Sequence, residues 1–147
     1  MYIKDYLQKK RHYIFFILIG IIFNSCSKAD YEATVPAYIS VPSITLTTDY
    51  ATQGSASSKI TDAWVFVNDD LVGVYELPAT FPVLKEGNQT VKVFAGIKDN
   101  GIAASRTMYF LYDPHEEKVN LIAGDTIDIV ANVVYNPSAK FTWLEDF

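Results

Sequence analysis

Apolar and polar residues alternate along several short segments of the chain, as they do in β-strands that bury one face. The clearest segment covers residues 90–98, with Lys92 and Lys98 on its polar face. Its apolar face consists of Val91, Val93, Ala95 and Ile97. Gly, Asn, Asp or Pro separates such segments at intervals of about 8 to 12 residues, the spacing of a sandwich or barrel. The pattern predicts an all-β domain of about seven or eight antiparallel strands and no convincing helix.

Turn-forming residues predict two hairpins. Residues 99–101 (Asp, Asn, Gly) tolerate positive φ and would return the preceding strand through residues 102–112. Residues 123–125 (Ala, Gly, Asp) would join segments 118–122 and 126–135 in the same way.

The segment 63–67 is apolar on both faces, which is typical of a central strand covered on both sides. We therefore expect Trp64 and Phe66 to lie in the core.

The N-terminus has the form of an export signal. Four basic residues among the first eleven precede an apolar run at residues 13–23, which is too short for the roughly 20 residues that a bilayer core requires. Residues 23–26 (Phe, Asn, Ser, Cys) resemble the bacterial lipobox, which implies cleavage after Ser25 and lipidation of Cys26. An ordinary signal peptide, an N-terminal anchor helix, or a buried thiol at Cys26 are the alternatives.

Lipidation would divide the chain into a signal peptide (1–25), a flexible tether (26–36) and a folded domain (37–147), which could be the first domain of a longer protein. Residues 1–25 hold four of the 12 basic residues and one of the 17 acidic residues, so the mature chain carries a formal charge of −8. Nucleic acid is excluded as an expected partner, because binding phosphates requires a basic stripe. The expected membrane contact is the N-terminal lipid.

The order of strands and turns in residues 64–94 carries a resemblance. An apolar strand, a turn, a second strand, a proline segment and a glycine turn follow one another. They are residues 65–67, 68–70, 71–73 and 77–79, and Gly87. This order resembles PEGA-type and related immunoglobulin-like surface modules, and the resemblance implies a non-enzymatic, immunoglobulin-like antiparallel β-sandwich. The whole chain resembles surface lipoproteins of Bacteroidetes, which combine a lipobox, an acidic tether and such a domain.

Candidate catalytic and metal-ligating residues are few. His12 lies in the predicted signal peptide, and His115 stands alone in a predicted loop, so neither nucleophilic catalysis nor a zinc site is expected. Asp62 and Asp128 are the acids at predicted inward or central strand positions. The predicted turns at 69–70 and 99–100 leave calcium binding as an alternative to ordinary turn chemistry. We predict no enzyme activity, no metal and no cofactor.

Aromatic residues supply the candidate ligand face, at Tyr75, Tyr109 and Tyr112. Core packing is the alternative for these rings. A glycan-binding role predicts an exposed, coplanar pair among them, and buried rings at all three positions would argue against it. Residues 125–127 (Asp, Thr, Ile) match the O-glycosylation pattern of Bacteroidetes export proteins, which makes Thr126 a candidate modification site.

The predicted function is that of a non-catalytic, lipid-anchored envelope protein, a structural or partner-binding module. Ser27 follows Cys26 where an aspartate would favour the inner membrane, so the outer membrane is the expected location, on its surface or periplasmic face. One alternative is a carbohydrate-binding accessory lipoprotein of a glycan-uptake system. Another is a pilus or adhesin component, which would need an unpaired edge strand.

Overall fold

The computed structural model describes Lys10 and residues 33–144. The chain divides into two compact units, Met1–Ala33 and Thr34–Phe147, and the strands lie in the second unit. The predicted signal peptide, the lipidation site Cys26 and the last three residues lie outside the described residues.

Eleven strands occur in the described range, which confirms an all-β domain. They are β1 (Ala37–Val41), β2 (Ile44–Thr47), β3 (Asp62–Val67), β4 (Asp70–Glu76), β5 (Ala79–Val83), β6 (Gly87–Lys98), β7 (Arg106–Met108), β8 (Tyr112–Asp113), β9 (His115–Leu121), β10 (Thr126–Asp128) and β11 (Ala131–Tyr135). A short helix, α1 (Tyr50–Gln53), follows β2, and a 3₁₀ turn covers Asp99–Gly101.

The strand number differs from the prediction because long segments are interrupted. Pro42 separates β1 from β2, and Pro114 separates β8 from β9, since proline has no N–H for a ladder. Two residues, 129 and 130, likewise separate β10 from β11. Joining each of these pairs gives eight segments, within the predicted range.

The largest sheet is built around β6. Strand β3 pairs with one edge of β6, while β9 and β7 pair in succession along its other edge, and β4 completes the sheet beside β3. The β6–β7 pairing confirms that the chain turns back after residue 98, but the connection covers residues 99–105 and the return strand is residues 106–108, not 102–112. The predicted central position of the 63–67 strand is also confirmed.

The faces of β3 are assigned differently from the prediction. Ala63, Val65 and Val67 are fully buried, whereas Trp64 and Phe66 lie on the opposite face and are only partly covered. The small and β-branched side chains of β3 pair with similarly small residues of β6, such as Val93, and this face packs into the core. The prediction that Trp64 and Phe66 lie in the core is wrong.

Three-stranded groups β10–β1–β5 and β2–β11–β8 complete the domain. The β1–β10 and β2–β11 pairings are parallel, so the expectation of purely antiparallel strands is wrong for these two pairs. Parallel neighbours need a long crossover connection, and most of the domain lies between the first and last strands in sequence.

The turn at residues 123–125 exists but does not form the predicted hairpin. Gly124 has φ +82°, and its N–H donates to the carbonyl oxygen of Pro36 at 2.9 Å. Within the described sheets, β9 pairs with β6 and β10 pairs with β1, so the turn carries the chain from one sheet to another.

The core is formed by the inward faces of these sheets. Its fully buried aliphatic residues include Ile39, Val41, Val65, Val67, Val91, Val93, Ile129 and Val133. The alternation predicted for residues 90–98 is confirmed at Val91, Val93 and Ala95. These packed sheets hold the loops from which the candidate site is built.

Candidate ligand-binding groove

An open cavity of about 640 Å³ lies where residues 57–61 approach the β7–β8 loop and the end of β11. We call it the tyrosine groove. It is lined by Ser57, Ser58, Lys59, Ile60, Thr61, Ile97, Lys98, Gly101, Tyr109, Tyr112 and Tyr135. Its volume falls within the roughly 300–1,000 Å³ range of small-molecule sites.

Backbone hydrogen bonds position the three tyrosines. The N–H of Tyr109 donates to the carbonyl oxygen of Ala95 at 2.9 Å, which holds the β7–β8 loop against β6. Tyr112 lies opposite Tyr135 in the β8–β11 pair. The ring centroids of Tyr109 and Tyr112 are 4.4 Å apart, and those of Tyr112 and Tyr135 are 5.0 Å apart. The β7–β8 loop and two paired strands thus place three rings in contact.

Two further aromatic rings, outside the groove lining, continue the row formed by Tyr109, Tyr112 and Tyr135. The ring of Phe141 lies edge-on to Tyr135 with centroids 4.7 Å apart. Phe110 is 82% exposed, and its ring centroid is 6.1 Å from that of Tyr109. Exposed rings of this kind can stack on the apolar face of a ligand, since exposure leaves one side of the ring free to bind.

The Tyr112 hydroxyl is held in its neutral form. Burial is the main cause that raises the pKa of Tyr112, and its hydrogen bond with Tyr135 adds to the effect. A neutral phenol can both donate and accept a hydrogen bond. The groove therefore offers an uncharged hydroxyl beside its aromatic rings.

The remaining lining is polar and basic. Ser57, Ser58 and Thr61 contribute hydroxyl groups, and Lys59 and Lys98 contribute ammonium groups. Within the described range, no Asp or Glu lines the groove.

An ion-pair network that includes one buried carboxylate lies next to this lining. Asp62 is fully buried on β3, where its carboxylate accepts a hydrogen bond from the guanidinium of Arg106 and another, at 2.6 Å, from the Thr61 hydroxyl. Arg106 also donates to Glu76 at 2.8 Å. Glu76 approaches Lys98 at 3.9 Å. The network joins β3, β4, β6 and β7 at the end of the sheet that borders the groove.

The predicted ligand-face residues are only partly brought together. Tyr109 and Tyr112 line the groove, but their rings are inclined by 59°, so they do not form the expected coplanar pair. Tyr75 stacks on the buried Phe81 with centroids 4.0 Å apart and packs against the core. Tyr75 therefore lies outside the groove.

The other candidate residues are placed as follows. Thr126 begins β10 and is exposed, so its hydroxyl is accessible, and its glycosylation stays a prediction. Asp128 is exposed, contrary to the inward position expected of it. His115 lies in β9 rather than in a loop, with its Nε2 3.6 Å from a carboxylate oxygen of Glu117. These three residues are not part of the tyrosine groove.

The acidic turn at residues 69–70 is engaged by two lysines. Asn68 and Asp69 have φ of +51° and +67° in the β3–β4 hairpin, as a tight turn requires. Asp69 lies 2.7 Å from the Lys92 ammonium group, and Asp70 lies 2.6 Å from that of Lys85. In the part of the chain that the structure describes, no three His, Cys, Asp or Glu side chains are grouped as metal ligands.

The sequence analysis did not identify Tyr135 or the polar segment 57–61 as parts of a site. A signal for Tyr135 was present, because it continues the apolar face of Ala131 and Val133 in β11. The segment 57–61 carried no comparable signal, since its small polar residues are typical of any loop.

Comparisons with known proteins give no assignment. No protein-family model, curated protein or solved structure matches the chain. Among the described residues, no helix has the length and apolar character needed to cross a bilayer.

Proposed function

We propose that this chain is a non-catalytic, lipid-anchored protein of the bacterial cell envelope whose β-domain binds a partner or ligand at the tyrosine groove. The observation that carries the binding role is the groove itself, in which three contacting tyrosine rings share a cavity with hydroxyl and ammonium groups. Pockets with apolar surface and a few convergent polar groups are the usual form of a binding site.

The lipid anchor is supported by the sequence. A basic start, a short apolar run and the sequence Phe-Asn-Ser-Cys at residues 23–26 fit an export signal that ends in lipidation of Cys26. Two or more acyl chains would hold the domain stably at a membrane. Ser27, at the position after Cys26, favours the outer membrane. We also propose that the domain is an immunoglobulin-like sandwich, an assignment supported by the alternating buried positions of β1, β6 and β11.

The anchor is tested by expressing the full chain in a Bacteroidetes host with labelled palmitate. Wild type should incorporate the label and be removed from intact cells by protease, whereas Cys26→Ala should incorporate none. Thr34→Ala, outside the lipobox, is the matched control and should behave as wild type. Label in both wild type and Cys26→Ala, or in neither, would contradict the anchor.

A carbohydrate-binding accessory role is the second candidate. The coplanar tyrosine pair that it predicts is absent among the described residues, and the role is favoured instead by the exposed ring of Phe110 beside the hydroxyl groups of the groove. Phe110 is exposed enough to stack on a sugar without supporting the core. We expect Tyr109→Ala, which removes a ring of the groove lining, and Phe110→Ala, which removes the neighbouring exposed ring, each to weaken binding to an oligosaccharide array by about fivefold, on the scale of one aromatic contact. Val130→Ala, a similarly exposed residue at 72%, is the control. Equal binding by Tyr109→Ala and wild type would argue against the groove as the glycan site.

A further inference from the structure

Two lysines line the same cavity as the three tyrosines. Lys59 comes from the polar segment before β3, and Lys98 ends β6. The chain as a whole is acidic, with a formal charge of −5, and residues 33–144 follow the same trend. The groove is thus a basic site on an acidic protein.

Lys98 is only weakly neutralised by its neighbours. Its ammonium group is 3.9 Å from Glu76, at the outer limit of an ion pair, and Glu76 is also bound by Arg106 at 2.8 Å. The side chain of Lys98 is 32% exposed. A ligand carboxylate could therefore approach Lys98 without displacing a strong partner.

Among the described residues no carboxylate lines the groove to repel such a ligand. The Tyr112 phenol is neutral, because burial raises its pKa, so it adds no negative charge. Ser57, Ser58 and Thr61 supply the short hydroxyl groups that hydrogen-bond to sugar hydroxyls. A cavity lined by charges of one sign attracts ligands of the opposite sign.

We propose that the tyrosine groove binds acidic carbohydrate, with the carboxylate of a uronic acid residue at Lys59 and Lys98 and the sugar ring against the tyrosines. This inference rests on the proposed binding function of the groove and narrows its ligand to one chemical class. Lysine ammonium groups recognise phosphate as well as carboxylate, so a phosphorylated ligand is the competing source of the negative charge.

The test is calorimetric titration of the full chain, purified in mild detergent. The probes are tetrasaccharides of galacturonate, glucuronate and mannuronate, each compared with its methyl ester, which keeps the sugar rings and removes the charge. Inorganic phosphate and adenosine monophosphate form the competing arm. We expect at least one acidic tetrasaccharide to bind about tenfold or more tightly than its ester, since each close charge pair contributes on that scale.

Lysine variants locate the charge. We expect Lys59→Ala and Lys98→Ala each to weaken acidic binding by about fivefold while binding of the ester changes little. Lys118→Ala is the matched control, because Lys118 is exposed on β9 and does not line the groove. Melting temperatures of all variants establish that they are folded.

The outcomes separate this inference from the proposed function. Equal affinity for acid and ester, lost in Tyr109→Ala, would overturn the acidic preference and leave the groove as a binding site, because the Tyr109 ring lines the groove. An equal loss in Lys118→Ala would overturn it by showing non-specific charge attraction. Binding of phosphate or adenosine monophosphate alone, or of no probe at all, would also overturn it, whereas the oligosaccharide array tests the groove independently.

Discussion

Replacing Arg106 with alanine would leave a fully buried carboxylate without its cation. Asp62 has no exposed surface, and its hydrogen-bond donors are the Arg106 guanidinium and the Thr61 hydroxyl. Removing one partner of a buried ion pair costs about 3–5 kcal/mol, because an uncompensated charge then remains in a medium of low polarity. The Arg106 side chain is 27% exposed, so water partly screens the site. We therefore expect the lower value, about 3 kcal/mol.

The assay is thermal unfolding of the full chain followed by far-ultraviolet circular dichroism. For a domain of this size, 1 kcal/mol corresponds to about 4 °C, so Arg106→Ala should lower Tm by about 12 °C. Arg106→Lys should be intermediate, because one ammonium group cannot replace the planar fork that binds both Asp62 and Glu76. The control Lys118→Ala should remain within about 0.5 kcal/mol of wild type.

A second variant distinguishes the buried charge from lost packing. In an Asp62→Asn background the charge is absent, so Arg106→Ala should cost clearly less than it does in wild type. The reasoning is refuted if Arg106→Ala costs under about 1 kcal/mol, or if its cost is the same in both backgrounds.

Three further predictions concern packing and titration. Gly96→Val should lower the free energy of unfolding, measured in urea, by more than about 2 kcal/mol, because even a Cβ atom there would lie 2.8 Å from the Cβ of Asp62. The control is Asn88→Ala, at an exposed position on the same face of β6, which should be near neutral in the same measurement. Ile39→Ala should cost about 2–5 kcal/mol by the same measurement, since Ile39 is fully buried. The raised pKa of Tyr112 means that the unfolded chain releases this proton first, so stability should be complete below the ordinary tyrosine pKa of about 10 and fall as pH rises above it. Tyr112→Phe should reduce that fall, and an unchanged pH profile would contradict the assignment.

Individual strands and, in β6, the buried face could be predicted from the sequence. The alternation in residues 90–98 correctly identified the buried face of β6, because a strand places successive side chains on opposite faces. The 63–67 segment was harder, since both of its faces are apolar. In the structure, the buried face of this segment is formed by Ala63, Val65 and Val67. Phe66 packs edge-on against Phe94 on the other face, with ring centroids 5.3 Å apart. Ring size alone does not determine which face of a strand is buried.

The pairings between strands far apart in sequence could not be predicted. Parallel pairing of β1 with β10 joins residues separated by nearly the whole domain, and no local signal specifies it. The residues of the tyrosine groove also come together through contacts that local sequence does not specify. Tyr109 and Tyr112 would lie on opposite faces of the strand predicted for residues 102–112. A turn, in which the Tyr112 N–H donates to the Tyr109 carbonyl oxygen at 3.3 Å, brings their rings together, and Tyr135 reaches them only through the β8–β11 pairing. Lys59 and Lys98 are likewise brought to one cavity by the tertiary fold alone.

The parallel pairing of β1 also has a mechanical consequence. A domain held by its N-terminal end, as lipid on Cys26 would hold it, receives tension along the axis of β1. Strand β1 is bonded to β10 on one side and to β5 on the other, and these hydrogen bonds lie across the direction of pull. The bonds are therefore loaded together in shear rather than broken one after another. If lipid on Cys26 anchors the chain as proposed, this arrangement would help the domain to remain folded under tension.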